Sequence, residues 1–409
     1  MQNTKFGSVP LIVGVLLVAA GCGSAQPGAN LMIEGGGGPE SGGGPTNDTA
    51  GASGASGASM AGAATAAAGA DSPPAHVVTA CPSAGQGVGV GVWEEITPPD
   101  VQKNPGFGGT QAVVVDPHNP ATVYMAGSGL SGGAGGIFKS LDCGATWNKV
   151  NTGKELDGSA PWSMVIDPIN PDTLYAVAGY GANGLWKTTD GGVSWTQLYT
   201  KGSLVEQTAV GNFASIISMD PTNHLHLVVS FHSGCTGDVA PNCLAETVDG
   251  GTNWSLLKGP SDGGEGSGPI VLNMTTWLYA VPFGGLFLTQ DSGATWSKVA
   301  DGSHYELYHS KSGTYYLGSI HGVLKSSDGL VWDSIPDSGG QEQGIIGDGK
   351  TLYVSQQNGT QYYTASEDNP VTWTNHTVPG ANGAYWMAYD EDHHILYQTA
   401  GKLWRMVTY

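Results

Sequence analysis

Six times between Ser140 and Trp373 the chain writes Ser or Thr, any residue, Asp, and then a Trp four or five positions after the Asp. The copies read SLDCGATW from Ser140, TTDGGVSW from Thr188, TVDGGTNW from Thr247, TQDSGATW from Thr289, SSDGLVW from Ser326 and SEDNPVTW from Ser366. Their tryptophans, Trp147, Trp195, Trp254, Trp296, Trp332 and Trp373, lie 36 to 59 residues apart, the period of one four-stranded propeller blade. A unit of this size cannot bury its apolar face alone, so the copies must stack on one another.

Each residue type suits a tight hairpin. The carboxylates of Asp142, Asp190, Asp249, Asp291, Asp328 and Asp368 can accept hydrogen bonds from the backbone N–H groups that follow them. Gly two positions later takes positive φ without a Cβ clash. The Trp opens the next strand and wedges a large apolar surface between sheets, leaving its indole N–H to find an acceptor. The fifth copy is one residue short, and the sixth has Pro370 where Gly is expected.

This motif resembles the Asp-box of the sialidase-like β-propellers, also found in sortilin ectodomains, xyloglucan-cleaving glycoside hydrolases and photosystem assembly factors. The resemblance covers roughly residues 90 to 409 and implies a propeller whose working site lies opposite the Asp-boxes. It does not imply one activity, because propellers host many. Sialidases hold the substrate carboxylate with three arginines, and Arg405 is the only arginine here, so that activity is excluded.

Between the motifs run short Val-, Ile-, Leu- and Tyr-rich segments broken by Gly, Asn and Pro, an all-β pattern. A second repeat appears as AVVVDPHNPATVYMA from Ala112, MVIDPINPDTLYAVA from Met164 and IISMDPTNHLHLVVS from Ile216, read as inner strand, Asp-Pro turn and second strand. VWEEITPP from Val92 looks like a fourth strand with no blade before it, while the last 25 residues supply three strands and stop. The N-terminal strand is therefore expected to complete the C-terminal blade, closing a seven-bladed β-propeller without a free edge. Six or eight blades are the alternatives.

Residues 1–22 read as a lipoprotein signal, with the apolar run Val9 to Ala20 followed by small residues and Cys22 as the lipidation site. A plain secretory signal is the alternative. Residues 23–80 are Gly, Ala, Ser and Pro with repeated GAS triplets, a composition for a disordered tether with a reach of roughly 40 Å. Residues 81–409 form the propeller. Export implies an oxidising compartment, at the cell envelope (outer membrane) or secreted. Four cysteines remain after Cys22: Cys235 and Cys243 flank a short loop, which leaves Cys81 with Cys143, although free or differently paired thiols stay open. Lys and Arg total 14 against 34 Asp and Glu, a net charge of −20 that argues against nucleic acid as a partner.

Strand order puts the Asp-box and Asp-Pro turns on one face and the binding loops on the other. There Trp162, Tyr180, Phe283, Tyr385 and Trp386 are candidate ligand-binding aromatics; Trp162 and Tyr385 each stand five residues before an inner-strand Asp, Asp167 and Asp390. Packing between blades is their alternative role. Glu155, Asp157, Glu206, Asp238, Glu265 and Glu342 are the carboxylates from which a glycosidase pair, 5 to 9.5 Å apart, would be drawn. Asp390-Glu391-Asp392-His393-His394 looks like a metal cluster, but aligns with the Asp-Pro turn at Asp116, so no metal or cofactor is expected. The chain reads as a monomeric binding module for an envelope glycan or protein, with a polysaccharide hydrolase as the alternative.

Overall fold

In this computed structural model the described residues are 72–81, 83–86, 88–101, 109–128, 135–151, 156–157, 159–179, 184–198, 213–260, 263–264, 266–340, 342–356, 361–378 and 386–409. Seven antiparallel four-stranded sheets form a seven-bladed β-propeller. Blades are numbered here in chain order. Their inner strands are Gly109–Val115, Ala160–Ile166, Ala214–Asp220, Gly268–Val271, Ser303–His309, Glu342–Gly347 and Met387–Asp390. In blades 1 to 6 each following strand pairs with the one before it in sequence.

Blade 7 differs, and its difference closes the ring. Met387–Asp390, Ile395–Thr399 and Leu403–Val407 supply its first three strands, and Glu94–Glu95 adds the fourth, with Glu94 opposite Arg405 and Glu95 opposite Trp404. A two-residue strand offers few ladder bonds. Side chains add to the closure: Arg405, 2% exposed, donates to Glu94 Oε2 at 2.8 Å, to the Ser83 carbonyl at 2.9 Å and to the Cys143 carbonyl. Tyr397 Oη donates to that same carbonyl at 3.3 Å. A disulfide joins Cys81 to Cys143 with Cα atoms 5.7 Å apart, and a second joins Cys235 to Cys243.

Seven apolar clusters make the core, one in each gap between neighbouring blades. The motif tryptophans explain the repeat. Trp147, Trp195, Trp254, Trp296, Trp332 and Trp373 each pack into the gap shared with the preceding blade, and Trp93 does so for blade 7. Trp195, Trp254 and Trp332 each donate their indole N–H to the carbonyl of a glycine in their own turn, at 2.9 to 3.1 Å. These three wedges bury their rings without orphaning the polar atom, whereas the indole N–H groups of Trp93, Trp147 and Trp373 are buried without a partner.

The aspartate turns are closed by side chains. In the first, Ser140 Oγ donates to Asp142 Oδ1 at 2.7 Å and accepts from the Gly144 N–H, while the Thr146 N–H and hydroxyl both donate to the Asp142 carboxylate. The same bonds recur around Asp190, Asp249 and Asp291. Positive φ extends further than the sequence pattern suggests: it occupies the residue after the Asp as well, including the non-glycines Cys143 at 62° and Ser292 at 55°. The dense side-chain bonding over-determines those two strained positions.

Two predictions arise. Arg405→Met leaves Glu94 and two carbonyls short of a donor and should lower the unfolding free energy by about 3 kcal/mol, read from urea denaturation. The hydroxyl and N–H of Ser194, with the Thr188 hydroxyl, hold Asp190 at about 2, and Asp291 is likewise lowered by Thr295. Because these folded values lie below the unfolded one, the stabilisation is present above about pH 4 and is lost as pH falls towards 2. The urea midpoint should thus fall over that window, and less steeply in an Asp190→Asn, Asp291→Asn double variant.

Candidate functional site

The inner strands run from one face of the ring to the other, ending in turns where Asp116, Asp167, Asp220 and Asp390 accept backbone N–H bonds. In an antiparallel blade the third strand ends on that same face, so both sets of turns share it. The starts of the inner strands lie on the other, here called the mouth. Residues 76–81 belong to the turn face: the Val77 N–H donates to the His118 carbonyl, His76 Nε2 meets Asp392 Oδ2 at 2.9 Å, and Cys81 is bonded to Cys143.

Near the mouth five inner strands slip register, between Thr110 and Val113, Pro161 and Ser163, Ala214 and Ile217, Ser303 and Leu307, and Glu342 and Ile345. A bulge breaks the strict alternation of side chains and re-aims those within it. Trp162 is the extra residue of blade 2, and His304, Tyr305 and Glu306 sit in the slipped stretch of blade 5.

The re-aimed rings meet at the axis. The Trp386 indole, from blade 7, donates to the Trp162 carbonyl of blade 2 at 3.0 Å, and its ring lies 5.4 Å from Tyr305 of blade 5. Trp162 packs edge-on against Phe213 at 5.7 Å and lies 5.7 Å from His232, which itself stacks on Phe213 at 4.5 Å. Blades 2, 5 and 7 are not neighbours, so these side chains can touch only across the central channel. Trp162, His232, Tyr305 and Trp386 remain half-buried, presenting part of their surface at the mouth.

Beneath this cluster lies Glu306, 8% exposed. Its carboxyl rests against the bare Cα of Gly344, where a methyl group would come within 2.8 Å of Oε2. Burial drives it well above the ordinary carboxylate range, although the Met387 and Ile345 N–H groups lean towards it; neither carboxyl oxygen completes a hydrogen bond. His304 is 1% exposed, and burial lowers it to about 4, so the ring is neutral at physiological pH.

The residues singled out from sequence divide. Trp162 and Trp386 come together at the axis, while Phe283 stands alone at a hairpin tip, 77% exposed. Tyr180, Tyr385, Glu155, Glu206, Glu265 and Cys22 lie outside the described residues, as does the side chain of Glu342. Asp157 is occupied by Lys149 and by Asn151 Nδ2, the latter at 2.9 Å, and so braces its own loop. Asp238 lies exposed in the single 3-10 turn of the Cys235–Cys243 loop. Sequence reading missed Phe213, His232, His304, Tyr305 and Glu306. Tyr305 was within reach, since it stands five residues before Ser310, whose N–H bonds to the Thr314 carbonyl as Asp116 bonds to Thr122.

Among the described residues, one group with metal-ligating atoms in mutual reach is Cys81, Cys143, Asp390 and His393, on the turn face. Its two sulfurs are joined as a disulfide, and Asp390 is taken up by His393 Nδ1 at 2.6 Å and by turn N–H groups. These bonds make it a fastening of the turn.

No protein-family model matches the chain, and no curated protein matches it in sequence. Solved structures do match in fold. YCF48 bound to a D1 peptide superposes with a TM-score of 0.54 at 16% identity, over 78% of this chain and 97% of that one. Oligogalacturonate lyase from Vibrio parahaemolyticus superposes with a TM-score of 0.52 at 9% identity, over 76% and 92%. A GH74 enzyme from Niastella koreensis is similar at a TM-score of 0.36 and 16% identity, over 74% and 64%, too loose a superposition to inform the site. At such identities the likeness establishes the propeller fold and leaves the activity to the chain's own residues.

The aromatic bridge gives a direct test. Trp386→Phe keeps an apolar ring but removes the donor to the Trp162 carbonyl, and should cost about 1 kcal/mol. Trp386→Ala removes the ring as well and should cost about 3 kcal/mol, both by urea denaturation.

Proposed function

We propose that this protein is an exported, membrane-tethered propeller that binds a glycan of the cell envelope at its axial mouth, without cleaving it. The observation that carries the reading is the cluster of Trp162, Phe213, His232, Tyr305 and Trp386, gathered from four blades with ring surface left open. Flat aromatic faces fixed by packing offer a platform for the apolar face of a pyranose ring, and their rigidity lowers the ordering cost of binding. Asp157, one of the carboxylates from which a hydrolytic pair would be drawn, is already spent on Lys149 and Asn151.

The tether reading rests on the sequence of residues 1–80, with Cys22 as the lipid site. Residues 76–81 join the propeller on its turn face, opposite the mouth.

A protein partner is the second reading. Phe283, 77% exposed at the rim, is the kind of isolated apolar anchor that a protein interface covers, and the similar YCF48 structure was solved with a peptide bound.

Incubating the full-length chain with immobilised polysaccharides, and assaying both retained protein and new reducing ends, separates these readings. The proposal expects retention without new ends, weakened at least tenfold by Trp162→Ala. New reducing ends would make the protein a hydrolase, and failure to be retained on any polysaccharide would shift the weight to a protein partner.

A further inference from the structure

Glu306 poses a problem that the aromatic platform alone does not solve. A carboxyl group more than nine-tenths buried, with neither oxygen completing a hydrogen bond, is costly to maintain, and the neighbouring His304 Nε2 and Ser303 Oγ are buried without a partner as well. Such groups persist where something outside the protein completes them.

Its position says what that something would be. Glu306 follows Tyr305 directly in the slipped stretch of the blade 5 inner strand. Its carboxyl reaches the start of blade 7 at Met387, the residue after Trp386, and shares the space over Gly344 with Ser355 Oγ. Tyr305 and Trp386, whose rings lie 5.4 Å apart, thus stand immediately beside an unpartnered acid. Aromatic faces attract a cation through their quadrupole, and the Glu306 carboxyl, which burial alone disfavours as an anion, gains an opposite charge when an ammonium enters, forming an ion pair in a site largely shielded from water. A neutral hydroxyl would satisfy the acid but gain nothing from the rings. The net charge of −20 further favours the approach of cations over anions.

We infer that the axial mouth recognises an ammonium group, with Trp162, Tyr305 and Trp386 as the aromatic walls and Glu306 as the counter-charge. Resting on the glycan reading above, this deepens it: the ligand is a glycan bearing free amino sugars, not one whose amines are acetylated.

The test titrates the full-length chain with two probes, a β-1,4-linked glucosamine hexamer and its fully N-acetylated counterpart, by calorimetry near neutral pH. The inference expects the amino hexamer to bind at least tenfold more tightly, and Glu306→Gln to remove that preference. The wild-type comparison needs no variant, so the outcome does not depend on how well Glu306→Gln folds. Equal affinity for the two hexamers would overturn the ammonium assignment and leave the glycan reading standing. If neither hexamer binds, titration with tetramethylammonium, read by tryptophan fluorescence, decides. A saturable change lost in Glu306→Gln keeps the ammonium site while the amino-sugar ligand falls, and no change overturns the site as well, leaving Glu306 as a structural acid and the glycan reading to the polysaccharide test above.

Discussion

Closure of the ring is the constraint on which the rest of the structure depends. A propeller blade buries its two faces against its neighbours, so an unclosed ring would expose two apolar sheet faces. Here the final contact is made by a strand of only two residues, Glu94–Glu95, and so cannot rest on ladder hydrogen bonds alone. The one arginine of the chain, fully buried, binds a carboxylate and two carbonyls across that seam, and the Cys81–Cys143 disulfide covalently ties the N-terminal segment to blade 1. Arg405 and the disulfide meet at Cys143, whose carbonyl also receives Tyr397, so the seam is a single connected assembly.

The division of labour between the two faces follows. The turn face carries the Asp142, Asp190, Asp249 and Asp291 carboxylates, each held by the hydroxyl two residues before it and by the donors four residues after it. Its exposed apolar residues, such as Leu141, Val193 and Val331, are spread singly over different blades. Little is left there for a ligand. At the mouth the inner strands bulge, and the bulges turn large rings inward at the one place where all seven blades converge. The regular half of each blade fixes the position; the irregular half supplies the chemistry.

The same division explains what could be read from the sequence. The fold was legible because the Trp wedge and the aspartate turn recur at fixed offsets, and the orphan strand at Val92 made seven blades the economical closure. Trp162 was legible because it stands five residues before an inner-strand Asp, and Trp386 because it lies on the same rim, next to Tyr385, which has that offset. Tyr305 obeys the same offset but its turn begins with Ser310, which hides the register. Glu306 was out of reach for a different reason: side-chain alternation predicts a face only while pairing stays in register, and the slip between Ser303 and Leu307 falls on this residue's own segment. Phe213 precedes the first strand of blade 3 and His232 follows the second, so the two stack only once the blade is formed. Asp157 read as a candidate acid because its loop was identified correctly, whereas its engagement with Lys149 depends on side-chain directions that spacing does not encode.

The central claim is that ligand engages the axial mouth and not the turn face. Fluorine NMR of the 5-fluorotryptophan-labelled protein, titrated with the glucosamine hexamer and assigned by single Trp→Phe variants, tests this most directly. The account predicts shifts of the Trp162 and Trp386 resonances, with those of the turn-face wedges Trp195 and Trp254 unmoved. Shifts confined to the wedge tryptophans, or none at saturating hexamer, would contradict it.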